Sequence, residues 1–260
     1  MKVRASVSYD GTSFSGFQRQ KNARSVQDEL ERGIEKACGA PVSLVGAGRT
    51  DTGVHATGQV IAFEVEWQHS LSALTRAINI QLPDDVAVRD LELCSERFHP
   101  RFSAASRCYE YTVVLSRDRI PAMRLYAWQM YGKLDVAQMN IAAAHLIGQH
   151  DFAAFGAATT GESTQRKVFR AEWREIAGEV RQLKFAIEAN GFLYRMVRRV
   201  VATLIRVGRG KLAANEVAAI LRSCDPTQVK DTAPAYGLCL VDVTYKNVNT
   251  DEEQRLTIRD

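Results

Sequence analysis

Several features that would decide function at once are missing from this 260-residue chain. Its five cysteines, Cys38, Cys94, Cys108, Cys224 and Cys239, are odd in number, far apart and without a CxxC pair. That argues against a disulfide framework and against a zinc site, and leaves buried or half-buried thiols. His55, His69, His99, His145 and His150 show no HxH or HxxxH spacing, so neither a metal site nor a Ser-His-Asp triad is expected. No apolar run approaches the roughly 20 residues that span a bilayer. The opening MKVRASVSYDG has charges and a turn where a signal peptide needs an apolar segment. The expectation is a cytoplasmic protein without membrane contact. A last absence is local: no acidic residue stands between Glu188 and Glu216.

What is present fits a globular protein. With 46% hydrophobic and 25% charged residues the chain can bury a real core, as one large domain or two ordinary ones. Lys plus Arg outnumber Asp plus Glu by 34 to 30, a net charge of +4. Such a slight excess names no partner; its distribution matters more.

Alternation of Val3, Ala5, Val7 and Tyr9 predicts a strand ending at Asp10-Gly11. Ser25 caps a helix carrying Val26, Leu30, Ile34 and Ala37, which Gly39 and Pro41 end. Strands follow at 42–45 and around Ile61–Trp67, then a helix opened by Ser70 and stopped before Pro83, then a strand over 85–94. Residues 98–107 read as a basic connector and 108–116 as a strand. In the second half the pattern predicts a helix over 135–147, a loop at 150–155, and strands at 166–176 and 182–189. Helices over 191–207 and 214–223 and a last strand over 237–245 complete it. The fold class is α+β: two lobes, 1–105 and 106–245, followed by a polar tail, 246–260, expected to fray.

GAGRTDTGVHATGQVIAF (46–63) is the stretch with the most chemistry in it. It begins like a dinucleotide fingerprint, but Asp51 occupies the third glycine position and no P-loop lysine follows. Asp51-Thr52-Gly53 matches the tripeptide of aspartic proteases, which need two carboxylates sharing a proton. There is no second copy, and Arg49 would oppose such sharing. GTSFSG (11–16) misses a nucleophile elbow because Ser15 stands where glycine is required. Two readings of Asp51 stay open: an Asx-turn bonding nearby backbone N–H groups, or a single ionised carboxylate placed for chemistry.

The segment GFLYRMVRRVVATLIRVGRGK (191–211) is independent of that loop. On a continuous helix Arg195, Arg198, Arg199, Arg206 and Arg209 share about a third of a turn, opposite Leu193, Met196, Val197, Val200 and Leu204. A basic stripe with no acidic counterweight suits an anionic polymer as well as a solvated face. Arg101 and Arg107, with Phe98, Phe102, Tyr109 and Tyr111 close by, form a second basic-aromatic cluster suited to stacking bases.

Taken together these blocks resemble one family, the tRNA pseudouridine synthases of the TruA type. SYDGTSFSGFQRQ (8–20), SVQDELE (25–31), GAGRTDTGVHATGQV (46–60), FHPRFSAASRCYEY (98–111), HDFAAF (150–155), FLYRMVR (192–198) and GLCLVDVTY (237–245) fall in the family's order. Phe17, Thr52, Pro100 and Cys239 depart from its usual residues, and none removes a reactive group. The resemblance implies the pseudouridine synthase fold, two lobes whose largely antiparallel, mixed sheets join across a basic cleft. It implies isomerisation of uridine to pseudouridine at tRNA positions 38–40 in the anticodon stem-loop, by a homodimer, with no metal or other cofactor. Asp51 takes the catalytic place, attacking C1′ or abstracting a ribose proton. Tyr109 matches the tyrosine that stacks on the target base and can take the C5 proton; Arg198 matches the arginine that pairs with the aspartate. Arg49 positions Asp51 and helps hold the extruded nucleotide, Leu238 packs against the base, and Arg101, Arg107, Arg195, Arg199, Arg206 and Arg209 contact the RNA. The alternative is a tRNA-binding or RNA-chaperone protein without catalysis.

Overall fold

The protein is described by a computed structural model at residues 1–158 and 163–245; the expected tail at 246–260 lies outside the described residues. In chain order the elements are β1 (Lys2–Tyr9), α1 (Val26–Cys38), β2 (Leu44–Gly46), β3 (His55–Glu64), α2 (Leu71–Gln81), β4 (Val86–Leu93) and β5 (Ala104–Leu115). Then come β6 (Trp128–Met130), α3 (Val136–Ala144), β7 (Gly148–Asp151), β8 (Gln165–Ile176), β9 (Arg181–Ala189), α4 (Met196–Gly208), α5 (Ala214–Ser223) and β10 (Leu238–Tyr245).

Among the described residues all ten strands belong to one sheet, in the order β4-β1-β3-β10-β5-β9-β8-β7, with β2 beside β3 and β6 beside β5. Most pairings are antiparallel. The seam between the halves is β10, which runs parallel to β3 (Leu240 opposite Ala56) and antiparallel to β5 (Leu240 opposite Tyr109). The last strand of the second half therefore brings the start of β3 beside the middle of β5. Gly58 permits the close approach: a Cβ there would collide with the carbonyl of Val241.

The helices follow their sequence signals. Ser25 Oγ accepts the Asp28 N–H at 3.3 Å, and Gly39 ends α1 in the left-handed region at φ 76°. Ser70 caps α2 in the same way. α1 packs on α2, and α3 packs against α4, α5 and β8.

Among the differences from expectation, four have reasons outside the local pattern. β5 starts at Ala104, inside the expected connector, because Ser106 and Arg107 find ladder partners on β10 and Arg107 also on β9. β3 starts at His55, well before its clean alternation, through its ladders with β1 and β10. His150 and Asp151, expected as the start of a loop, end the edge strand Gly148–Asp151 on β8. Most consequentially, α4 begins at Met196 rather than 191. Tyr194 bridges to Ala157 and Arg195 turns left-handed at φ 58°, so 191–195 forms an irregular approach to the helix.

Candidate active site

The loop between β2 and β3 is pinned before and after Asp51. Gln59, fully buried on β3, accepts the Gly48 N–H at 3.2 Å and donates to the Gly48 carbonyl at 2.9 Å. Thr50 shares a 2.7 Å hydrogen bond with the Tyr9 hydroxyl, and its carbonyl accepts the Phe17 N–H at 3.1 Å. Past Asp51, Gly53 adopts φ 76°, which glycine takes without strain, and the Val54 N–H returns to the Asp51 carbonyl at 3.1 Å. His55 fastens the far end. Its Nδ1 accepts the Gly11 N–H at 3.0 Å, so Nε2 carries the proton and donates to the Leu125 and Tyr236 carbonyls at 2.8 and 3.1 Å.

The Asp51 side chain takes no part in this local network. Its partner is Arg198, whose Nη1 donates to Oδ2 at 3.2 Å; the two side chains are 22% and 16% exposed. Oδ1 makes no hydrogen bond among the described residues, so one oxygen is fixed and the other is open. No backbone N–H of its own loop bonds the carboxylate, so Asp51 does not form an Asx-turn. Arg198 is held in turn by its Nε bond to the Ala233 carbonyl at 2.7 Å.

Tyr109 arrives from β5, 8% exposed, with its ring edge-on to Phe192 at 5.1 Å. Its hydroxyl lies over Gly48, where any side chain would touch it. Burial pushes the phenol above its ordinary range, and the nearby Tyr9 and Asp51 add to the effect. Leu238, at the start of β10, lines the same cleft.

Of the expected RNA-contacting arginines, Arg49 and Arg195 line this cleft with exposed side chains, and Arg101 lines it half-buried. Arg107 is placed otherwise than expected. It is 8% exposed and donates to the Ala47 carbonyl at 3.0 Å, the Asn190 carbonyl at 2.9 Å and the Arg101 carbonyl, so it staples the cleft wall instead of presenting a free cation. Arg199, Arg206 and Arg209 do not line the cleft. Only the first turn of α4 reaches it, and Arg209 lies about 16 Å along the axis from Arg198 at 1.5 Å per residue. Of the five arginines expected in one stripe, only Arg195, which precedes the helix, and Arg198, in its first turn, reach the cleft.

Gln59 and Phe192 were not singled out from sequence. A glutamine directly before the apolar run Val60–Phe63 is a signal for the first, and the aromatic of the FLYRMVR block for the second. Among the described residues the cleft is lined by six arginines (Arg49, Arg101, Arg107, Arg166, Arg195 and Arg198) and a single carboxylate, Asp51. No helix is long and apolar enough to cross a membrane among the described residues.

A family model described as tRNA pseudouridine synthase matches residues 5–103 and 142–246. Among curated relatives, the tRNA pseudouridine synthase A of Streptococcus thermophilus is 39% identical over 247 residues, covering 95% of this chain and 100% of that protein. The proteins of the same name from a Thermoanaerobacter species and a Geobacter species are 42% and 40% identical, covering 92% and 94% of this chain and 97% and 98% of theirs. Among solved structures, the archaeal box H/ACA sRNP Nop10–Cbf5 complex aligns over 78% of this chain and 44% of that one, at 13% identity and a TM-score of 0.35. On the family match and on relatives alike along nearly its whole length, the chain belongs to the tRNA pseudouridine synthase family.

Proposed function

We propose that this protein isomerises uridine to pseudouridine in tRNA with Asp51 as its essential group, acting at positions 38–40 of the anticodon stem-loop. The observation that carries the reading is the placement of Asp51: the one carboxylate among the described residues of an arginine-lined cleft, paired to Arg198 through one oxygen, with Tyr109 beside it.

The reaction breaks the N1–C1′ bond, turns the uracil and joins C5 to C1′. N1 gains a proton and C5 loses one, so the product is an isomer and no oxidant or energy donor enters. Asp51 Oδ1 is the open oxygen for attack on C1′ or for removal of a ribose proton. Reaching either atom requires the nucleotide to leave its stack, at a cost of a few kcal/mol. Arg49, exposed two residues from Asp51, is placed to hold it there. Tyr109 serves as a neutral phenol, a flat apolar neighbour for the base. The same cation-rich lining suits RNA phosphates and makes binding salt-dependent. The resemblance to the family supports a homodimer on one tRNA, which light scattering with and without tRNA tests.

The test is an anticodon-arm tRNA tritiated at uridine C5, given to the wild type and to Asp51→Ala and Asp51→Asn. Expected is tritium release and pseudouridine with the wild type alone, at positions 38–40, with no free uracil. Free uracil would make the enzyme a hydrolase of the glycosidic bond. Tight, salt-dependent binding without release by any form would make it a tRNA-binding protein.

A further inference from the structure

Phe102 is the most exposed of the phenylalanines, ahead of Phe169 at 44%. Phe14, Phe17, Phe63, Phe152, Phe155 and Phe185 are at most 3% exposed, whereas Phe102 is 75% exposed. Leaving so large an apolar side chain open forgoes one of the larger burial gains available to a residue. A mobile loop would explain that simply, but this loop is fastened. His99 Nδ1 accepts the N–H groups of Arg101 and Phe102 at 3.2 and 3.3 Å. The Ser103 N–H donates to the His99 carbonyl at 2.9 Å, and the His99 N–H to Ser103 Oγ at 3.1 Å. From outside the loop, the Tyr245 hydroxyl donates to the Pro100 carbonyl at 3.0 Å and the Arg107 guanidinium to the Arg101 carbonyl.

The ring also has a defined underside. It lies on the His99 imidazole with centroids 4.3 Å apart and planes inclined by 34°, and the Arg101 guanidinium is 5.6 Å from its centroid. Phe102 lines the same cleft as Asp51. A held aromatic face among cations is a poor seat for an apolar protein surface, which would have to desolvate the arginines. It is a good seat for a nucleobase, whose phosphates the arginines attract and whose face stacks on the ring. Extruding the target uridine also strips its neighbours of a stacking partner, which such a ring replaces.

We infer that Phe102, backed by His99, is a stacking platform for an unpaired base of the tRNA adjacent to the target uridine. This rests on the tRNA-modifying reading above and adds a subsite to it.

The experiment uses anticodon-arm tRNA with 2-aminopurine placed 5′ or 3′ of the target uridine, bound to full-length Asp51→Asn so that no turnover intervenes. Expected is quenching at one of the two positions, lost when Phe102→Ala is added, kept with Phe102→Trp and not kept with Phe102→Leu, which has bulk but no aromatic face. With Asp51 intact, Phe102→Ala should raise KM for tRNA about 5- to 150-fold, the range that loss of one stacked base predicts, while kcat stays within about twofold. Quenching or KM for Phe102→Leu equal to wild type would overturn the inference. So would a fall in kcat with KM unchanged, which would mark a structural role. A change in the size of the free protein by light scattering, with quenching intact, would instead assign the face to a second copy of the chain. Thermal melts of the Leu and Trp variants keep the test valid if the alanine variant folds poorly. Wild-type protein that quenches but releases no tritium would sink the isomerase reading and leave this one standing. Normal release with quenching indifferent to Phe102 would do the reverse.

Discussion

The guanidinium of Arg198 holds Asp51 and the chain at Ala233 at once: Nη1 donates to Asp51 Oδ2 at 3.2 Å and Nε to the Ala233 carbonyl at 2.7 Å. The first bond joins residues 147 positions apart, so the geometry of the Asp51 carboxylate depends on the docking of α4. A lysine keeps the charge but not the planar fork that serves both acceptors. Arg198→Lys should therefore lower single-turnover pseudouridine formation by roughly 10- to 100-fold, and Arg198→Met by about a further 10-fold, with tRNA affinity changed far less. Equal rates for lysine and arginine would show that the charge alone suffices.

Tyr109 ties the site to alkaline stability. Its folded pKa is raised above the ordinary 10.0, first by burial and then by Tyr9 and Asp51. The folded state thus keeps its proton to higher pH than the unfolded state does. The stabilisation is complete below about pH 10 and is lost as pH rises through the folded pKa. Phenylalanine has no proton to lose, so Tyr109→Phe should unfold less steeply above pH 10, by up to about 1.4 kcal/mol per pH unit. Urea titrations between pH 9 and 11.5 measure this, and parallel slopes would sink it. Between pH 7 and 9 the activity profiles of the two forms should have the same shape.

Gly58 tests the seam. An added methyl would meet the Val241 backbone carbonyl on β10, which no rotamer change can relieve. Gly58→Ala should destabilise the protein by about 1–3 kcal/mol, the usual cost of overpacking, and reduce activity because β10 also carries Leu238. A melting temperature within a degree of wild type would mean the strands part without cost.

The two ends of the arginine stripe should behave differently toward salt. Arg195 lines the cleft and Arg209 does not. Arg195→Ala should weaken tRNA binding and flatten the slope of log K against log salt by about 0.7–0.9, one phosphate contact. Arg209→Ala should leave both nearly unchanged. Equal effects would restore the continuous stripe that the helical wheel suggested.

How much of this was legible in the sequence depended on how local each cause is. Caps and periodicity sit within a few residues, so Ser25, Ser70 and the alternation of Val3 to Tyr9 placed α1, α2 and β1 closely. The extra length of β5 was hidden because ladders on two neighbours, not the side chains of Ala104 to Arg107, supply its backbone partners. Arg195 looked helical because spacing ignores the bridge from Tyr194 to Ala157.

The sequence by itself determined the family and the chemical type of the candidate groups: Asp51 in its glycine-flanked loop, Tyr109, and arginines without acidic counterweight. It also left two readings of Asp51 open, and only the tertiary structure excluded the Asx-turn. The parallel pairing of β10 with β3 and its antiparallel pairing with β5 bring Asp51, Tyr109 and Leu238 into one cleft, and α4 adds Arg198. The same packing buried Arg107 as a staple and carried Arg206 and Arg209 away from the cleft. Side-chain chemistry is written residue by residue. Which groups meet is decided by contacts between residues far apart in the chain.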